Sequence, residues 1–294
     1  MAGAGSAIAP ARREAVPEID ISAMTIVRPR RWGRIAAVAI MLALIAWLAK
    51  AFAEGQIAWE VTGEYLFWPS ILMGVVNTIW MSIACMIIGI VIGVLVAVMR
   101  GSPNPVLRSV AIGYQWFFRG TPVILQLLIW FNLALVFPRL GIPGLFEART
   151  VDVITPAMAT LLGLGLNQGA YTSEVMRAGL LSVDRGQYEA AQAIGMGYWA
   201  SLKRIILPQA MRVVIPPLGN EFIGLVKMTS LASIIGFADV LRTSQDIYYV
   251  NARVIELLMV AAAWYLVVVT ILSLGQARLE RRFGRGFASG VRDR

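Results

Sequence analysis

Three residues near the middle of the chain carry groups that a polar solute would need in an apolar setting. Asn167, Tyr171 and Glu174 stand at i, i+4 and i+7, so on a helix they share one face. Gln168 lies beside that face. Asn220 and Glu221 directly follow a Pro216-Pro217-Leu218-Gly219 interruption further along. Amide, phenol and carboxylate groups of this kind can line a wet cavity that passes a small polar solute. They can equally serve interhelical hydrogen bonds or structural ion pairs, for example Glu221 with Lys227 or Arg212, or Glu174 with Arg177. Covalent and metal chemistry has less to work with. The chain has no histidine and a single cysteine, Cys85. That removes Ser-His-Asp and Cys-His sets, the usual zinc sites and any intrachain disulfide. The only catalytic constellation left would be the carboxylates Glu174 and Glu221. No G-x-x-x-x-G-K-[ST] phosphate loop occurs, so the chain cannot hydrolyse ATP by the usual loop. No cofactor and no metal are expected.

The elements around these residues are apolar on a scale that soluble domains do not reach. Of 294 residues, 58% are hydrophobic and 15% charged, against about 25% charged in an ordinary soluble domain, and the mean hydropathy is +0.71. Blocks of roughly 18 or more apolar residues read as membrane spans. The blocks fall at 35–53, 70–99, 111–137, 154–181, 205–226 and 256–274, which predicts an all-α polytopic membrane protein of about six transmembrane helices. The net charge of +9 sits at block ends rather than in a basic stripe interleaved with aromatics, so nucleic acid is not an expected partner. Arg12, Arg13, Arg28, Arg30, Arg31 and Arg34 precede the first block, and Arg278, Arg281, Arg282 and Arg285 follow the last. By the positive-inside rule both termini and the 182–204 loop face the cytoplasm. The Glu54, Glu60, Glu64 segment, a balanced loop with Arg139, Glu147, Arg149 and Asp152, and residues 227–253, with a short helix over 230–241, face outward. The first block is read as an uncleaved helix. The Gly89/Gly93 pair is read as a site of close helix packing.

The stretch 182–208 differs in kind. Its sequence, SVDRGQYEAAQAIGMGYWASLKRIILP, predicts two short amphipathic helices with Gly195 turning the chain between them. Glu189, Ala190 and Ala191 are followed by Gly195, and Ile205, Leu207 and Pro208 close the pattern. This spacing resembles the EAA signature of permease subunits of ATP-binding-cassette (ABC) importers. Arg119-Gly120-Thr121-Pro122 with Gln126, Ala170-Tyr171-Thr172-Ser173-Glu174 with Arg177, Val183-Asp184-Arg185-Gly186-Gln187, Leu207-Pro208-Gln209-Ala210, and Pro217-Leu218-Gly219-Asn220-Glu221 resemble its polar amino acid (histidine/glutamine permease) branch. Lys227-Met228-Thr229-Ser230-Leu231 departs at Met228, where that branch commonly carries an acidic residue. The resemblance covers roughly residues 70–283.

The resemblance implies a MetI-like transmembrane domain at 70–276, with an extra helix at 35–53, an Arg-rich tail at 1–34 and a basic tail at 277–294. It implies a multi-pass protein of the bacterial inner membrane that carries a polar amino acid. The coupling residues would be Gly186, Glu189, Ala190, Ala191, Gly195 and Pro208, in a knob that docks into an ATPase. Asn167, Gln168, Tyr171, Glu174, Asn220 and Glu221 would line the pathway. Partners would be two ABC ATPase subunits, a second permease subunit of the same or a paralogous kind, and an extracytoplasmic amino acid-binding protein. The rivals are a secondary transporter, which would need ion ligands on broken helices and no docking knob, and a membrane-embedded enzyme.

Overall fold

The computed structural model describes residues 32–55, 57–142 and 146–283. Most of the expected N-terminal tail and the end of the C-terminal tail lie outside the described residues. The chain divides into two units, residues 1–56 and 57–294. In the first, helix α1 spans Trp32–Glu54, with no buried residue and no apolar stripe. Its length and composition suit a membrane crossing.

The second unit is built on two long helices, α3 (Pro69–Gly101) and α7 (Pro156–Leu181). At 1.5 Å per residue, the 33 residues of α3 reach about 50 Å, well beyond a hydrocarbon core of about 30 Å. The buried positions of α3 include Ile71, Thr78, Met81, Ser82, Cys85, Gly89 and Gly93, which recur every three to four residues and form one face. Its Ile71–Thr78 end meets the segment around Val240, and its Gly89–Gly93 stretch lies against α7 with almost no side chain between. A Cβ on Gly89 would come 2.6 Å from Gln168 Cγ, and one on Gly93 would come 2.6 Å from Thr172 Cγ2. Gly165 and Gly169 of α7 return the approach toward Ile88 and Ile92. Small residues make such contact possible where lipid offers no hydrophobic drive for helix association. The main core forms where this pair meets α5 (Val123–Phe131) and α10 (Leu207–Met228), around Met81, Cys85, Leu127, Leu164, Leu225 and Phe237.

The apolar block at 111–137 is not one helix, as its composition suggests, but two. Helix α4 covers Pro105–Gly120 and α5 begins at Val123. Asn104 caps α4 by accepting from the Val106 and Leu107 backbone N–H groups. The break has a local cause: Thr121 precedes Pro122 and is held extended, at ψ 143°, because a following proline ring disfavours the helical region. Breaking a helix strands carbonyls, and a bilayer supplies no water to satisfy them. Two buried amides do so here. Gln126 Nε2 donates to the Phe118 and Thr121 carbonyls at 3.0 and 3.2 Å, and Asn167 Nδ2 donates to the Phe118 carbonyl at 2.7 Å.

Two stretches expected to face outward are more ordered than their composition suggests. Residues 59–66 form helix α2, tied to the last helix, α12 (Val254–Phe283), by the Ala58 N–H on Glu256 Oε1 at 3.1 Å. The balanced loop folds as an antiparallel hairpin, β1 (Arg139–Ile142) with β2 (Phe146–Arg149), pinned by Arg139–Glu147 at 3.0 Å. The helix expected over 230–241 is displaced. A 3-10 turn spans Thr229–Ile235 and stops at Gly236, whose φ of 84° is left-handed. Helix α11 then runs Val240–Asn251, capped by Asp239. The sequence signal was Asp239, a good cap directly before an amphipathic run. Among the described residues, four helical runs are long and apolar enough to cross a membrane: Trp32–Glu54, Pro69–Gly101, Tyr198–Ile235 and Val254–Phe283. Helix α7 has the length, at 26 residues, but carries the polar residues of interest.

Candidate functional site

Helix α8 (Arg185–Ala193) and the short helix α9 (Tyr198–Ser201) form a knob at the end of α10. Asp184 caps α8 by accepting from the Gly186 N–H at 2.7 Å. Any Cβ on Gly186 would crowd that same carboxylate oxygen, at 2.8 Å, which explains the Asp-x-Gly order. Gly195 turns the chain at φ 75°, a conformation that costs glycine nothing and other L-residues about 1–2 kcal/mol. Pro208 falls in the first turn of α10, yet helical structure continues N-terminal to it. Its ring cannot serve the i→i−4 ladder, and the chain answers with a π-helical turn over Leu202–Ile206, closed by the Leu207 N–H on the Leu202 carbonyl. Knob and shaft are fastened by a small core of Val183, Ile206 and Ala210, with Tyr188, Leu202 and Ile205 packed on it. Gln209 Nε2 adds bonds of 3.0 Å to both Gln187 Oε1 and the Ile205 carbonyl.

The tip of the knob is unusual for a surface. Ile194, Tyr198 and Trp199 are 73, 69 and 77% exposed around Gly195. Glu189 and Ala190 are exposed on α8, while Ala191 is buried beneath them. A groove of about 730 Å³, lined by Leu181, Val183, Arg185, Tyr188, Glu189 and Gln192, runs alongside. Among the described residues, Glu189 forms no ion pair.

The residues considered for a pathway separate into four groups. Asn167 is buried in the amide knot at the α4–α5 break, 3.3 Å from Gln126 Oε1. Gln168, also buried, donates to Thr172 Oγ1 at 3.2 Å and to Glu221 Oε2 of α10 at 3.3 Å. Asn220 points elsewhere, to Glu280 of α12 at 3.2 Å. Glu280 also accepts from Gln276, which bonds the Pro216 carbonyl at 2.7 Å. Gly219 is where Gln276 crosses α10, since a Cβ there would overlap the Gln276 amide. Neither Lys227 nor Arg212 is the partner of Glu221.

Tyr171 and Glu174 line a cavity of about 440 Å³ with Arg100, Gln115, Trp116 and Arg119. Glu174 Oε1 lies 3.5 Å from Arg100 Nη1 and 3.4 Å from Arg119 Nη1, and its Oε2 is 3.8 Å from Arg177 Nε. The Arg119 guanidinium sits over the Tyr171 ring at 5.4 Å. Gln115 accepts from Arg100 and donates to Ser173 Oγ at 2.7 Å. Arg100 and Gln115 were not legible as site residues. An arginine at a span end looks the same whether it meets headgroups or a carboxylate.

Comparison with known proteins places this geometry in a wider set. A family model described as binding-protein-dependent transport system inner membrane component matches residues 89–285. The chain is 39% identical over 269 residues to the arginine transport system permease protein of Corynebacterium glutamicum, covering 90% of this chain and 84% of that protein. It is 40% identical over 230 residues to the L-cystine transport system permease protein of Bacillus subtilis, covering 78% and 92%. Among solved structures, a chain from the crystal structure of an amino acid ABC transporter with histidines is similar at a TM-score of 0.64 and 34% identity, covering 73% of this chain and 94% of that one.

Proposed function

This chain belongs to the family of binding-protein-dependent transport system inner membrane components, and from that premise we propose that it passes a polar amino acid through the membrane on energy from a separate ATPase. The observation that carries the coupling is the knob, an apolar tip held out around a left-handed glycine and fastened to a membrane-length helix. An exposed aromatic and aliphatic tip of this kind marks a contact surface. In this reading two ATPase subunits bind the knobs of two permease subunits, identical or paralogous. An extracytoplasmic binding protein delivers the solute. ATP binding draws the ATPases together, the knob at Glu189–Gly195 moves with them, and α10 carries the motion into the core. The cavity then changes the side it faces.

The pathway residues are assigned by their surroundings. Tyr171 and Glu174 face the cavity, and Gln168 with Glu221 offers a second polar pair between α7 and α10. Asn167 acts on the pathway indirectly, by holding the α4–α5 break in place. Asn220 serves the α10–α12 contact through Glu280.

The orientation puts both termini and the knob in the cytoplasm of a bacterium's inner membrane, because the Arg and Lys excess lies there. Single cysteines at exposed positions, Trp199→Cys on the knob and Glu64→Cys on α2, test this in a Cys85→Ser background. In intact cells a membrane-impermeant maleimide should label the Glu64 variant and leave the Trp199 variant unlabelled. In inside-out vesicles stripped of peripheral proteins the Trp199 variant should label, and adding back the ATPase should protect it. Labelling of the Trp199 variant from outside would overturn the orientation. Labelling that the ATPase does not slow would overturn the docking role of the knob.

A further inference from the structure

The cavity beside Glu174 has more positive charge than its own carboxylate can balance. Three guanidiniums, Arg100, Arg119 and Arg177, face one carboxylate. Each pair lies at 3.4–3.8 Å, outside the 2.7–3.2 Å of a direct N–H···O bond. Glu174 therefore attracts the guanidiniums without a direct hydrogen bond to any of them. The Tyr171 face holds Arg119 by a cation–π contact at 5.4 Å, which does not use the guanidinium N–H groups. Gln115 accepts from Arg100 Nη1, the same nitrogen that faces Glu174, and Gln115 in turn donates to Ser173. The result is a pair of oriented guanidiniums on a cavity of about 440 Å³, which is ample for an amino acid. Three guanidiniums around one carboxylate leave the cluster with surplus positive charge, which a second anion would balance.

Resting on the amino acid reading above, we propose that this cavity is a carboxylate subsite, in which Arg119 and Arg100 bind the α-carboxylate of the transported amino acid. A carboxylate matches the planar guanidinium fork. Glu174 is the resident counter-ion. It holds the guanidiniums in place while the site is empty, and gives them up to the incoming carboxylate while keeping Arg177. Glu174 then acts on the backbone end of the solute, not on its side chain. The same fork would also fit the phosphate of an anionic lipid headgroup, and the test separates the two sources.

The experiment uses the permease–ATPase complex, purified without the binding protein so that no second receptor reads the carboxylate. The probe is the amino acid that gives the greatest wild-type uptake in a screen of the protein amino acids and cystine. It is compared with the amine left by removing its carboxylate, agmatine for arginine or cystamine for cystine. Arg119→Gln should weaken amino acid binding by about tenfold or more, as expected for loss of a charge-assisted bond, and leave amine binding unchanged. Arg119→Lys should recover part of the loss. Glu174→Gln, which removes the competing anion, should tighten amino acid binding several-fold. If Arg119→Gln does not assemble, Glu174→Gln decides, and weaker amino acid binding there overturns the proposal. Equal effects of Arg119→Gln on acid and amine also overturn it. Unchanged amino acid binding, with an anionic phospholipid that co-purifies with wild type and is lost from Arg119→Gln, assigns the site to a lipid instead. If wild type takes up no amino acid at all under ATP, it is the transport reading that fails, not the subsite alone.

Discussion

Gly195→Asp removes ATP-driven uptake, by about a hundredfold or more, while the chain still inserts and accumulates. The two halves of that result have separate causes. Gly195 holds φ 75°, and nothing lies within 4 Å of the place its Cβ would occupy. Folding therefore loses only the left-handed strain, about 1–2 kcal/mol and less for Asp or Asn. The function loses more, because the new charge sits among Ile194, Tyr198 and Trp199 at the point where a partner must cover them. A charge buried without a counter-ion at an interface costs several kcal/mol. Gly195→Asn is the control: it tolerates the same φ, carries no charge and should keep much of the activity. Glu189→Lys should match the Asp variant by another route, since it inverts the one acidic charge that α8 offers beside the groove. Uptake and membrane abundance, measured together in all three variants, check the pattern. Normal uptake in both charged variants would mean that the knob does not transmit the energy.

Gly93→Leu has the other large effect, and acts on the fold. The added side chain would start 2.6 Å from Thr172 Cγ2 and 3.0 Å from the Ser173 backbone nitrogen. A threonine methyl can shift a little, but helix backbone cannot, so α3 and α7 must part. Overpacking typically costs about 1–3 kcal/mol, and more when backbone blocks relief. Losses of this size reduce abundance several-fold in cells. Quantitative immunoblotting of membranes should show that loss for Gly93→Leu and none for Gly113→Leu, since Gly113 has nothing within 4 Å. Equal abundance of the two would refute the close α3–α7 contact.

Much of this architecture was readable because it rests on signals that act locally. Long apolar blocks give long helices whatever they pack against. The Gly195 turn and the close packing at Gly89/Gly93 follow from the lack of a side chain alone. What was hidden depends either on partners far along the chain or on local stops that the surrounding apolar residues outweighed. The break at Thr121–Pro122 lies inside an unbroken apolar run, and proline can be tolerated in a membrane helix when neighbours satisfy the freed carbonyls. Whether they do so by bending or breaking the helix rests on Gln126 and Asn167. Asn167, Tyr171 and Glu174 do share a face of α7, as their spacing requires. Three different neighbours, however, sort them into an amide knot, an aromatic platform and an ion cluster. Helix α11 starts ten residues after Ser230 because Gly236 and Asp239 act as stop and start, a pair of signals outweighed by the apolar residues before them.

The most direct test of the central claim is uptake into proteoliposomes. The chain is reconstituted with the ATPase and the binding protein from its own organism, and labelled amino acids are supplied outside. The account predicts uptake only with ATP and the ATPase on the knob side and the binding protein on the other, and its loss in Gly195→Asp. Uptake driven by a proton or sodium gradient, with no ATPase present and no effect of Gly195→Asp, would contradict it.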